Sequence, residues 1–135
     1  MREFVLDPSM VTMGGVFYPT GYAVIMFPEK DDALNTADAL VEEGRVTADQ
    51  VHSLSPATIF RDISKTEDGT DIPLPSVGTE GATVRAFDKL AREGHHGLVI
   101  EADSAEDTER VMEVVRRVNF SLAQKYRTLV IEDLK

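Results

Sequence analysis

Two stretches carry groups that could do chemistry. In "SVGTEGATVR", residues 76–85, Ser76, Thr79 and Thr83 supply hydroxyls, and Gly78 and Gly81 let the backbone approach a ligand closely. Arg85 follows, and the helix predicted after this turn presents free N–H groups and the positive end of its dipole. That combination suits a small anion. It is not a nucleoside triphosphate loop, because after the second glycine Ala82 stands where the pattern needs a lysine before the hydroxyl residue, here Thr83. The same "GTEG" matches the glycine clamp of a KH domain, but Glu80 would set a carboxylate against a nucleic-acid backbone. A plain capped helix start is the competing reading, and glycine-rich helix starts are common.

The second stretch is "EGHHGLVI". His95 and His96 fall between a helix-ending glycine and an apolar strand, where alternation turns two successive rings in opposite directions. Together they cannot easily hold one metal. One of them near His52 and Glu29 or Asp31 would make a set of two imidazoles and a carboxylate, suited to a divalent metal or to acid–base work. Histidines that bond a loop carbonyl are the commoner case. The acidic runs "EKDD" and "EADSAEDTE" lack the oxygen-ligand spacing of a calcium loop and read as helix starts. Met10, Met13, Met26, Phe17, Phe27 and Phe60 read as core filling. Arg116, Arg117, Lys125 and Arg127 form the notable basic cluster, able to meet an acidic partner or a second copy of the chain.

The elements that must position these residues follow from periodicity. "GYAVIMF", residues 21–27, is a continuous apolar run closed by Pro28, the pattern of a strand buried on both faces. In "KDDALNTADALVEEG" the spacing of Ala33, Leu34, Ala37, Leu40 and Val41 predicts a helix stopped at Gly44. "QVHSL" is a short strand, and Ser55 with Pro56 opens a short helix as cap and first residue. Residues 65–78 have the composition of an exposed loop. A helix from about Thr79 to Glu93 buries Val84, Phe87, Leu90 and Ala91, and "HGLVIEA" is the next strand. Ser104 with Asp107 caps a helix burying Val111, Val114, Val115 and Val118, and "RTLVIEDL" reads as the last strand.

This order gives two βαβ-like halves with a helical insertion. The fold class predicted is α+β, a ferredoxin-like sandwich with a mostly antiparallel four- or five-stranded sheet and helices mostly on one face. The fifth strand would come from a "GVFY" hairpin onto "YAVIMF". A small doubly wound α/β sheet is the alternative. The 135 residues make one domain, with 1–15 as an N-terminal arm.

Composition limits the partners. The net charge of -10 repels a phosphate backbone, so nucleic acid is not expected. No cysteine is present, which removes disulfides and thiolate chemistry and fits the cytoplasm. The start "MREFVLDPSM" lacks the pattern of a secretory signal, and no apolar run approaches a membrane span.

"EKDDALNTADALVEEGRVTADQVHSLS" and "AFDKLAREGHHGLVIEADSAEDTERVMEVVRR" resemble the two halves of small bacterial general stress proteins of the heat-induced type, over roughly residues 16–134. The "MGGVFYPTGY" opening and the paired histidines depart from that scheme. The resemblance implies a link to stress physiology and assigns no molecular activity. With no nucleophile and base pair legible, the function expected first is a non-enzymatic regulatory or protein-interaction domain without a cofactor, working as a homo-oligomer, most simply a dimer. The alternative is a small-anion or small-ligand-binding domain, open to being an enzyme, that uses the 76–85 helix start and a nearby histidine.

Overall fold

A computed structural model of the chain describes residues 1–12, 15–64, 77–128 and 130–135. Six strands form one sheet: β1 Arg2–Glu3, β2 Tyr22–Phe27, β3 Val51–Leu54, β4 His96–Glu101, β5 Leu122–Tyr126 and β6 Ile131–Asp133. Their order across the sheet is β1-β3-β4-β2-β5-β6, antiparallel throughout except for the β1–β3 pair. The helices are α1 Lys30–Glu42, α2 Pro56–Thr58 running on through a π turn at Ile59–Ile63, α3 Val77–Arg92 and α4 Ala105–Val115. The molecule is α+β with a mostly antiparallel sheet, as its sequence pattern predicts.

The four inner strands explain the connectivity. β2 and β3 flank α1 in sequence but are separated in the sheet by β4, while β4 and β5 flank α4 and are separated by β2. Two split βαβ units are thus interleaved, and each central strand is buried on both faces. On one face Ala23, Ile25, Phe27, Val51, Leu98, Ile100 and Ala123 pack against α1 and α4 through Ala37, Leu40, Val111 and Val115. On the other, Val24, Met26, Leu54, Val99 and Tyr126 pack against Ile59, Ile63, Val84, Phe87 and Ala91. Phe17 lies at the centre of this second cluster, edge-on to Phe4, Phe87 and Tyr126 at ring distances of 5.9, 6.1 and 5.9 Å.

Several expectations change. Helices cover both faces, because the insertion between β3 and β4 folds back as α2 and α3 over the face that a simple hairpin would leave open. The fourth inner strand is Leu122–Tyr126, and "RTLVIEDL" contributes only the three-residue edge strand β6. "GVFY" adds no hairpin strand; Phe17 makes a single bridge to Val11. The outer strands come instead from β6 and from β1, inside the segment expected as an arm, where Phe4 is buried beside β3. Of the expected 65–78 loop, residues 65–76 lie outside the described residues, and Val77 and Gly78 already belong to α3. The capping signals fare better: Ser55 Oγ accepts from Thr58 N at 3.3 Å, and Ser104 Oγ from Asp107 N at 3.0 Å. Among the described residues no helix is long and apolar enough to cross a membrane.

Candidate functional site

The residues singled out in 76–85 are only partly among the described residues. Ser76 lies outside the described residues. Gly78, Thr79 and Gly81 fall within α3 rather than in a turn before it. Thr83 is buried, and Arg85 sits eight residues into the helix, about 12 Å along its axis from Val77. Two helical glycines cost roughly 1 kcal/mol each. The burial of Val84, Phe87 and Ala91 offsets this, which is why tertiary packing wins over the local glycine signal.

The histidines are separated as well. His96 pairs with Phe27, which faces α1, whereas His52 pairs with Val99, which faces α3. The sheet itself stands between the two rings. Glu29 is the N-cap of α1 and is exposed, and among the described residues no group of three His, Asp or Glu could hold a metal. His95 Nδ1 lies 2.8 Å from Ser121 Oγ, which in turn donates to the Met26 carbonyl at 3.1 Å. Because the single hydroxyl proton goes to Met26, Nδ1 carries the ring proton and donates to Ser121. His96 Nδ1 lies 3.2 Å from the Gly94 carbonyl. Both rings tie the α3–β4 turn to its neighbours.

Three of the four residues of the basic cluster are matched by carboxylates. Arg116 pairs with Glu109 at 2.6 Å, Arg117 with Glu43 at 2.5 Å and Arg127 with Glu132 at 2.9 Å. Lys125 is different. Its alternation along β5 with Ala123 turns it toward α4, and it is 5 % exposed. Its ammonium donates to the Ala102 carbonyl and, at 3.3 Å, to Thr108 Oγ1. Among the described residues no carboxylate lies within 4 Å of it. Burial, and next the charge of Arg127, push its pKa below the ordinary lysine value, against the pull of Asp103, Glu132 and Asp107.

Lys125 lines a cleft of about 300 Å³ together with Thr20, Gly21, Asp103, Ala105 and Arg127. Local structure fixes its floor. Gly21, at φ +88°, donates to the Tyr126 carbonyl at 2.9 Å and accepts from Ala102 N at 3.0 Å, so a left-handed residue joins β5 and β4 at this corner. α4 starts above it at Ala105. Burying an ammonium costs several kcal/mol, and its two hydrogen bonds to neutral oxygens return about 1.5–3 kcal/mol each. As a structural tie between β4, β5 and α4 the residue roughly breaks even; with an anion in the cleft its charge would be matched.

A larger cleft, about 370 Å³, lies between the N-terminal segment and β3, lined by Arg2, Val5, Leu6, Met10, Tyr22 and His52. Burial, then the charge of Arg2, lower the His52 pKa. Its two lining carboxylates are already engaged: Glu3 accepts from Ser53 Oγ, Ser55 N and Thr58 Oγ1 at 2.8, 2.9 and 2.8 Å, and Asp7 accepts from Ser9 N at 2.8 Å. These bonds anchor β1 and the turn at Pro8–Met10 and leave this cleft without an unmatched buried charge among the described residues.

In the sequence Lys125 is one of the four residues of the basic cluster. The signal that could have separated it is its position two residues after the apolar Ala123, on the same face of the strand. Comparison with protein-family models, with curated proteins and with solved structures gives no match.

Proposed function

We propose that the chain is a non-enzymatic regulatory domain that binds a small anionic group in the cleft at Lys125. The observation that carries this reading is that Lys125, whose buried ammonium has no carboxylate within 4 Å among the described residues, is one of the residues that line an open cleft. Buried charges are ordinarily paired, so a missing counter-charge beside a cavity is a ligand's place. Ser121 and His95, a hydroxyl and an imidazole in contact, are not arranged as nucleophile and base, because the Ser121 proton goes to the Met26 carbonyl.

We further infer that the inner four strands are a ferredoxin-like core. The support is the order β3-β4-β2-β5 with antiparallel neighbours. The sequence-pattern resemblance to bacterial general stress proteins adds a stress-linked setting to the proposal. Self-association would have to use helix faces, since the free edges β1 and β6 are two and three residues long.

The test is a titration with acetate, inorganic phosphate and chloride, followed by thermal shift and by amide NMR. At about 100 times its Kd a ligand adds roughly 2.7 kcal/mol of stability, several degrees in Tm. The expected result is a shift with at least one anion, amide changes concentrated at residues 20–21, 102–108 and 125–128, and loss of both in Lys125→Met. No response of the parent protein to any anion, or changes centred elsewhere, would overturn the proposal.

A further inference from the structure

We infer that the ligand of this cleft is a small zwitterion, a free α-amino acid, with its carboxylate on Lys125 and its ammonium on Asp103. The inference rests on the anion site proposed above and adds the second charge.

Asp103 lines the same cleft as Lys125. Its Oδ1 lies 3.9 Å from the point where a Cβ on Gly21 would stand, so the carboxylate sits beside the glycine floor. Among the described residues it takes part in no hydrogen bond and no ion pair within 4 Å, although it is near enough to Lys125 to raise that residue's proton affinity. The cleft therefore carries one positive and one negative group, each without a partner of opposite sign at contact distance. The remaining charged lining residue, Arg127, is held by Glu132 through Nε at 3.1 Å and Nη2 at 2.9 Å.

A plain anion on Lys125 would meet the Asp103 charge as repulsion. An ammonium on the carbon next to the ligand's carboxylate turns that repulsion into attraction, and this is the arrangement of an α-amino acid. Long-range electrostatics favour the same choice. A protein of net charge -10 repels anions as they approach, whereas a molecule of zero net charge meets no such barrier. At about 300 Å³ the cleft is at the small end of ligand sites and large enough for an amino acid. The Thr20 and Thr128 side chains on the rim supply hydroxyls for further hydrogen bonds.

The experiment is isothermal titration of the parent protein and of Asp103→Asn with glycine, alanine and serine, each against its deaminated acid: acetate, propionate and 3-hydroxypropionate. Asp103 is exposed and makes no bond that holds the fold, so the variant should fold as the parent does, which circular dichroism checks. The expected result is that at least one amino acid binds the parent roughly tenfold or more tighter than its deaminated acid, a gain of about 1.4 kcal/mol. In Asp103→Asn that preference should vanish while the acid binds as well as before or better. Deaminated acids binding the parent as tightly as every amino acid, or an unchanged preference in the variant, would overturn the inference and leave the anion site standing. No binding of any of the six probes would remove both.

Discussion

The two ends of the central strands are built from similar polar residues and behave differently. At one end, where Phe27, His96 and Leu122 lie, each polar side chain finds a partner nearby: His95 on Ser121, Ser121 on Met26, and His96 on Gly94. At the other, where Tyr22, Glu101 and Tyr126 lie, Lys125 is buried on neutral oxygens and Asp103 stands beside it unengaged. Residue type alone points to the histidine end, since imidazoles are the usual metal ligands and bases. Pairing points to the lysine end. A closed set of hydrogen bonds holds a turn, whereas an unmatched pair of charges around a cavity leaves work for a ligand.

The largest effect is expected at the closed end. A Cβ on Gly97 would lie 2.7 Å from Met26 Sδ and 3.1 Å from the Ile25 carbonyl, so Gly97→Val should destabilise the protein by roughly 1–3 kcal/mol in urea unfolding. A loss under about 0.5 kcal/mol would mean that this end can repack and is not closed in the sense drawn above.

Next is the pair Lys125→Ala and Lys125→Met. Alanine removes the stem that fills the space under α4 and should cost about 2 kcal/mol, whereas methionine keeps the stem and relieves the buried charge, staying within about 1 kcal/mol of the parent. If both variants lose the same several kcal/mol, the ammonium is a structural tie and the two ends are alike.

His95→Ala should cost about 1 kcal/mol, the worth of one hydrogen bond to Ser121, and zinc or nickel should leave Tm of parent and variant unchanged. A metal-dependent rise in Tm lost with His95 or His96 would move the functional site to the histidine end.

The smallest effect is the pH dependence. The folded protein holds Lys125 below the ordinary value of 10.5, so between the two pKa values the unfolded chain binds more protons than the folded one. Stability contributed here must rise with pH up to about that value. His52, lowered from 6.5, gives the same sign in the window just below 6.5. The alkaline limb should flatten in Lys125→Met and the limb near neutrality in His52→Ala; curves of the parent shape in both variants would refute these assignments.

Much of the scaffold was legible because its signals are local. The 22–27 strand, the 30–42 helix with its spacing of Ala33, Ala37 and Leu40, and the caps at Ser55 and Ser104 all depend on neighbours within one or two turns. β5 is hidden in the sequence because "LAQKY" breaks the apolar pattern at Gln124 and Lys125, and the more apolar "RTLVIEDL" carries the stronger strand signal. The residue that hid the strand is the one that marks the candidate site.

The sequence by itself determined the α+β class, most helices with their buried stripes, and the acidic net charge, since composition and short-range periodicity are properties of the chain alone. Only the tertiary structure decided that His52 and His96 lie on opposite faces, that the insertion covers the second face, and that Lys125 and Asp103 share one cleft. Strand order and register decide which distant residues meet. They are fixed by the simultaneous burial of both sheet faces, a condition on all the elements together that no single stretch of sequence expresses.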